Sequence, residues 1–463
     1  MIIGRIAKIK IQEIIMSTFK AGFGRVTINP VIGTPICGYY KERFAEGIID
    51  DLEVNALAFE YGEKRAVMLS FDLLGVTTEK VESLKKKINE QTGLSPDAIF
   101  ISGTHTHTGP DNRPHEELAI KYWEELHYKT LDAVNEALAD MKAATVGYGI
   151  GEAPNVAFVR RFRMKDGSVR TNPGVNNPDI LHPIGDVDER VSVVRFDREG
   201  AETLVLVNFA NHPDVVGGSK ISADWPGLTR RVVEKTLDNV KCIFFNGAQG
   251  DVNHVNVAPK DGFLNGMFMD FDDVSRGYPH ALYIARVVTG GVLQCYDKVK
   301  YVNIDSLKYK ERKISLASNM PTPEELPEAE YINEMHESGR DDELPYEGMM
   351  LTTVVAEAAR KLRLKDGPTA FPMNLLGLSF GPIAFVGIPG EPFTGIGRGI
   401  KDTDGFELVI PCGLTNGYQG YFPMKDAYDE GGYEARSSNF KTGVAENIIK
   451  EGKLLLKDLE EEK

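Results

Sequence analysis

The sequence predicts an α/β protein with mixed parallel and antiparallel sheets, helices on their flanks and a metal site at the carboxyl ends of strands. Three observations predict it. Short apolar runs alternate along the chain with segments of helical period, which is the pattern of strands linked through helices. Some neighbouring runs are joined by only two to four turn residues, which adds antiparallel hairpins. Four of the apolar runs end directly in clusters of His, Asn, Asp or Glu, and in open α/β sheets ligands sit beyond the carboxyl ends of strands.

In chain order, residues 54–61 and 65–71 are apolar runs around Gly62-Glu63 and read as a hairpin. Residues 78–92 carry Val81, Leu84 and Ile88 at helical spacing, with Gly93 as the stop. Residues 98–101 form a strand that runs into Thr104-His105-Thr106-His107-Thr108-Gly109-Pro110, and a helix follows within 116–139. Strands are expected at 191–196, 203–209 and 242–245, with a helix that starts at Pro226 and places Leu228, Val232, Val233 and Leu237 on one face. Residues 278–292 and 352–363 read as helices, 374–379 and 383–388 as strands, and 440–459 as a closing helix. Residues 319–347 are rich in Glu, Asp and Pro and poor in apolar residues, so they read as a surface excursion or lid outside the core. The expected organisation is an N-terminal extension at 1–19 followed by one catalytic domain at 20–463, without internal repeats.

The 463 residues are 42% hydrophobic and 26% charged, a globular composition. A formal charge of -15 argues against nucleic acid or anionic membrane as general partners, because phosphate binding needs an excess of Lys and Arg. Arg160-Arg161-Phe162-Arg163 is the one local basic cluster singled out. The four cysteines are scattered without a C-x-x-C pair, which fits reduced thiols and a cytoplasmic location. No apolar run approaches the ~20 residues of a membrane span, and the Ile-rich start is broken by Arg5, Lys8, Lys10 and Glu13, unlike a secretory signal.

The chemistry is expected at the strand ends. Residues two apart on an extended backbone face the same side, so His105 and His107 can reach one pocket while Thr106 points away. One imidazole can bind a metal and the other move protons. His212 lies in Asn211-His212-Pro213-Asp214, after the strand at 203–209. Asp224 precedes a helix and is placed to cap it or to orient a ligand. Asp251 and Asn253 follow the strand at 242–245 in Gly247-Ala248-Gln249-Gly250-Asp251-Val252-Asn253. Glu391, between Gly390 and Pro392, is a helix N-terminal charge or a ligand. Tyr418, Tyr421, Tyr428 and Tyr433 lie among glycines, where phenols serve for packing, for metal ligation or as donors to an oxyanion. Residues 263–271, rich in Phe and Met, suit a contact with an acyl chain or with a second subunit of a homo-oligomer.

Together, the motifs at 104–110, 211–213, 222–227, 246–251, 389–392 and 420–421, with Tyr433-Glu434 following, resemble the neutral (non-lysosomal) ceramidase family. The resemblance runs in order from about residue 20 to 440. It implies a zinc amidase acting on a lipid-like or other small N-acyl substrate. His105, His212, Glu391 and Tyr421 are implied as Zn2+ ligands, His107 as the histidine beside the reacting water, Tyr433 as a donor to the amide oxygen and Arg160 as the substrate-facing arginine. Asp224, Asp251 and Asn253 are expected to support the ligands or touch substrate. Two departures stand out. Asn253 occupies the place of a serine proposed as nucleophile in the family, and an amide cannot take that part. The sequence also offers no counterpart of the C-terminal immunoglobulin-like domain of the larger members. A metal hydrolase of a more polar amide, ester or sugar derivative, or a binding protein that keeps the metal, are the alternatives.

Overall fold

A computed structural model describes residues 18–111, 116–259 and 277–462. Residues 1–17 of the expected extension at 1–19 and the segment at 263–271 lie outside the described residues. Strands β1 (Lys20–Thr27), β2 (Glu53–Tyr61) and β3 (Lys64–Phe71) are followed by α1 (Thr78–Thr92), β4 (Ile99–Gly103) and α2 (Glu117–Ala139). Next come β5 (Lys142–Glu152), β6 (Arg190–Arg198), β7 (Thr203–Phe209), α3 (Asp224–Thr236), β8 (Val240–Asn246) and α4 (Tyr278–Tyr296). The remainder comprises β9 (Leu307–Ala317), α5 (Leu326–Glu337), α6 (Gly348–Leu364), β10 (Ala370–Phe380), β11 (Ile383–Gly387), α7 (Thr394–Lys401), β12 (Leu408–Cys412) and α8 (Val444–Glu461).

The large sheet runs β8-β7-β6-β5-β1-β2-β3-β4, and the short strand Lys300–Val302 joins β5. The β7–β8 and β3–β4 pairs are parallel and the pairs between them antiparallel. The smaller sheet runs β9-β10-β11-β12, with β11–β12 parallel. The mixed α/β fold expected from sequence is the one observed.

Strand alternation explains the layers. On β2, Val54, Ala56 and Ala58 face α1 and α2, where they meet Val81, Leu84, Ile88, Trp123 and Val134. Leu57 and Phe59 point the other way, into a core shared with Leu376, Leu378, Phe380, Phe385 and Ile410 of the second sheet. Helices α3 and α4 cover the β6–β8 end through Trp225, Leu228, Ile284 and Val288, and α7 and α8 cover the outer face of the smaller sheet. A Cβ on Gly24 would lie 2.1 Å from the Ala133 carbonyl, so glycine lets α2 lie directly on β1.

One reading from sequence is corrected. Residues 319–347 are not a plain surface excursion. Helix α5 and the turns around it bury Ala329, Ile332, Met335 and Leu344 against Val354, Val355 and Ala358 of α6, forming a separate apolar cluster. Three apolar residues spaced by three, Ala329, Ile332 and Met335, suffice once α6 supplies the opposing face.

Beneath the site, Arg230 of α3 grips Asp72 at the end of β3 through two bonds of 2.8 and 2.6 Å, both side chains being fully buried. The same carboxylate accepts the Glu53 backbone N–H, and a second Arg230 nitrogen contact reaches Glu53 Oε2 at 2.9 Å. This ties β2, β3 and α3 together just below the loop that carries His105.

Candidate metal centre

The parallel strand ends deliver the site. β4 leads into His105 and His107, β7 into His212, and β11 into the turn before Glu391. Asn246, at the end of β8, donates from Nδ2 to the backbone carbonyls of Thr104 (3.1 Å) and Asn211 (3.0 Å), the residues just before His105 and His212. One buried amide thus sets the spacing of two histidine loops.

His105 has φ of +81°, so its backbone is left-handed rather than extended. The expectation that the pair shares a pocket because the strand simply continues is therefore corrected. A turn at His105, rare for a residue with a Cβ, brings the rings together with centroids 4.9 Å apart, while Thr106 turns away to donate to the Ser222 carbonyl. His105 Nδ1 lies 2.7 Å from the Leu74 carbonyl, and His107 Nδ1 lies 2.9 Å from the Gly38 carbonyl. A carbonyl only accepts, so Nδ1 carries the proton in both rings and Nε2 is left facing inward. A Cβ on Gly38, whose φ is +103°, would come within 2.8 Å of the His107 ring. Arg43 donates to the carbonyls of Cys37, His107 and Gly218 and so holds this loop over the histidines.

His105 Nε2 is 3.2 Å from His212 Nε2 and 3.2 Å from Glu391 Oε2, and the third edge, His212 Nε2 to Glu391 Oε2, is 3.8 Å. Tetrahedral zinc with ligand bonds of about 2.0–2.1 Å separates its ligand atoms by about 3.3 Å. The triangle therefore matches a tetrahedral face. The Glu391 Oε2 and His107 Nε2 atoms are buried without a hydrogen-bond partner, which marks a place for a cation. His105, His107 and His212 also form a group whose ligand atoms all lie within 4.8 Å of one another. The donor set thus fits a metal ion. Of the two overlapping triads, the one containing Glu391 is the tighter and brings a charge.

Electrostatics agree. Burial raises the Glu391 carboxyl, but His105, His212 and Arg160 overcome it and hold the group ionised well below the usual range. Burial and the Arg160 charge keep His212 neutral, and burial is the main cause that pushes His107 down to about 3. Neutral rings present lone pairs, as metal ligation and proton acceptance require.

Glu391-Pro392 pairs in parallel with Tyr421-Phe422, so Glu391 and Tyr421 stand directly opposite on one face. Burial and the Glu391 charge push the Tyr421 phenol well above its usual range, and a bound cation acts in the opposite sense. Tyr418 donates to Glu391 Oε1 at 3.1 Å. The sequence placed Tyr418 in the tyrosine cluster without a role; its nearness to Glu391 is the signal that was missed.

A cavity of about 330 Å³ opens over the cluster, lined among others by His107, His212, Asp214, Arg160, Tyr421 and Tyr433. Arg160 lies over the Tyr421 ring at 5.2 Å, with its Nε 2.7 Å from Glu434 Oε1 and its Nη2 bonded to the Gly250 carbonyl. Tyr433 stacks edge-on against Tyr421 at 5.6 Å, and its hydroxyl is 3.4 Å from that of Tyr40. Asp214, on the cavity wall, is 3.0 Å from His254 Nδ1, a buried pair that sequence reasoning did not single out.

The remaining expected residues stand behind this wall. Asp224 is not the cap of α3, because Ala223 precedes it at that position. Its carboxylate instead accepts the backbone N–H groups of Val215 and Val216, just beyond His212, and of Trp225. Asp251 accepts the backbone N–H and hydroxyl of Thr394 at the start of α7. Asn253 bonds Asn172 Oδ1 and the Val255 N–H. Asp224, Asp251 and Asn253 are absent from the described residues that line the cavity.

No family model matches the sequence, and no curated protein matches it. Solved structures do. The neutral ceramidase of Pseudomonas aeruginosa superposes with a TM-score of 0.71 at 17% identity, over 96% of this chain and 76% of that one. A structure described as ceramidase complexed with C2 gives 0.70 at 16% identity with the same coverage. The chain therefore shares its fold with these enzymes.

Proposed function

We propose that this chain belongs with the neutral ceramidases and is a zinc-dependent hydrolase that cleaves the amide of an N-acyl compound with water. One observation carries the reading. Two imidazole nitrogens and an orphaned carboxylate oxygen, buried and 3.2–3.8 Å apart, lie behind a cavity wall to which His212, His107 and Tyr421 contribute. The shared fold supports it.

His105, His212 and Glu391 would hold the zinc, with Tyr421 beside Glu391 as the fourth ligand. When bound, zinc polarises a carbonyl and lowers the pKa of water toward neutrality. The chain's own groups do the rest. His107, oriented by the Gly38 carbonyl, takes a proton from water at Nε2 and passes it to the leaving nitrogen. Tyr433 and Arg160 donate to the amide oxygen as it gains charge. Asn253 takes no covalent part, because its amide is bonded to Asn172 and lacks a nucleophilic atom.

Metal analysis with a panel of N-acyl amines, assayed with and without chelator, tests this. Chelator-sensitive hydrolysis is the expected result, and turnover indifferent to metal would refute it. His107→Ala should retain zinc and lose about 10²–10⁴-fold in kcat. Loss of zinc in that variant would make His107 a ligand instead. A second reading, hydrolysis of a more polar substrate, is favoured by the polar cavity lining at Lys41, His336 and Asp341. A strict preference for polar substrates in the same panel would select it.

A further inference from the structure

The wall of the cavity opposite the histidines is built by α5 and α6. The first two turns of α6 present Met349, Leu351, Thr352 and Val355 to the cavity. Val355 also belongs to the apolar cluster that binds α5 to α6, so this wall has its own core. It is clamped to the rest of the site, since Glu357 of α6 pairs with Arg436 at 2.5 Å, and Arg436 lies in the short helix Tyr433–Ser437 that carries Tyr433. At the rim, His336 and Asp341 pair at 2.9 Å, with the Tyr40 ring 6.5 Å from His336. The cavity thus has a polar base, an apolar flank and a polar rim.

This arrangement limits what fits. A space of about 330 Å³ buries roughly ten to twenty-five heavy atoms, so the rest of a lipid with two long chains would lie outside it. A chain leaving the scissile carbonyl would run along Met349, Leu351 and Val355 and then meet the His336–Asp341 pair, where further methylenes gain nothing from burial. We propose that α6 is the chain-length gauge of the site, and that the substrate is an amide with a single short- to medium-length acyl chain. The proposal rests on the reading of the site as an amide hydrolase.

The test is a series of N-acyl ethanolamines from acetyl to hexadecanoyl with the zinc-loaded protein. The expected kcat/KM rises about three- to fourfold per added methylene, breaks at a medium length and then falls. Leu351→Ala should move the break to longer chains, and Thr352→Phe to shorter ones, so the result survives if one variant does not fold. A rise that continues to the longest chain, or a break that neither variant moves, overturns the proposal. In parallel, saturated fatty carboxylates of the same lengths are titrated calorimetrically into the metal-free protein. If no amide is hydrolysed, the functional reading fails, whereas a break in carboxylate affinity that moves with Leu351→Ala still supports the gauge. A carboxylate series without a break counts against it.

Discussion

At the scale of single residues, Glu391 decides whether the centre holds a metal. Its Oε2 atom is buried beside two imidazoles and its Oε1 accepts from Tyr418. Glu391→Gln keeps the shape but removes the charge, so zinc content measured after gel filtration should fall from about one per chain toward zero. Tyr418→Phe removes only the bond that orients the carboxylate, and loss of such a partner typically costs about 10–100-fold in metal affinity. A competition titration with a coloured chelator reads that difference. Tyr433→Phe should retain zinc and lower kcat about 10²–10³-fold, the usual effect of deleting one oxyanion donor. The paired histidines His105 and His107 stood out in the sequence because two imidazoles at a strand end have little reason to be there for packing. Tyr418 did not, since the resemblance points only to Tyr421 and Tyr433, and nothing in the sequence brings Tyr418 near Glu391 before the ladder between Glu391 and Tyr421 is seen. The left-handed backbone of His105 was equally hidden, because only glycine announces positive φ in a sequence.

At the scale of elements, β1, β5, β9 and β12 were not singled out, whereas α1 was legible from period and β2, β3, β4, β6, β7, β8, β10 and β11 from their apolar runs. Their apolar residues recur at two or at three to four, and Gly93 ends α1 in a left-handed cap as expected. Helix α5 failed the same test because acidic and proline residues dilute its three buried positions, and the face they meet comes from α6. The supports between elements were illegible for a related reason, since they join residues far apart in the chain. Arg230 and Asp72 are 158 positions apart. Arg230→Met leaves the Asp72 carboxylate buried without its partner, and urea unfolding should show a loss of about 3–5 kcal/mol. The double replacement of Arg230 and Asp72 by apolar residues should recover much of that loss.

At the scale of the whole molecule, two sheets meet face to face beneath the candidate metal centre, and both contribute residues to it. His105 and His212 rise from the large sheet and Glu391 from the smaller one. An ion bound at this junction stabilises the native state by mass action, about 4 kcal/mol when free metal is a thousandfold above Kd. Adding chelator should therefore lower Tm in the native chain and in His107→Ala, but not in Glu391→Gln. Scanning calorimetry at matched buffer and protein concentration separates the three. An unchanged Tm in the native chain would mean that the centre does not hold metal under those conditions.

Asn246 ties the His105 and His212 loops, while Glu391 follows a strand of the second sheet. The ordering has a kinetic consequence. His105 and His212 are 107 positions apart, and Glu391 lies farther along still, so a nascent chain cannot complete the centre until most of its length has emerged and docked. Metal capture should then be a late event in refolding. It would follow the recovery of secondary structure and report the closure of one sheet upon the other. Stopped-flow refolding with a zinc-sensitive dye should show a lag relative to the far-ultraviolet signal, and Asn246→Ala should lengthen it. The ion, on this view, is a clock for the end of folding as well as an instrument of chemistry.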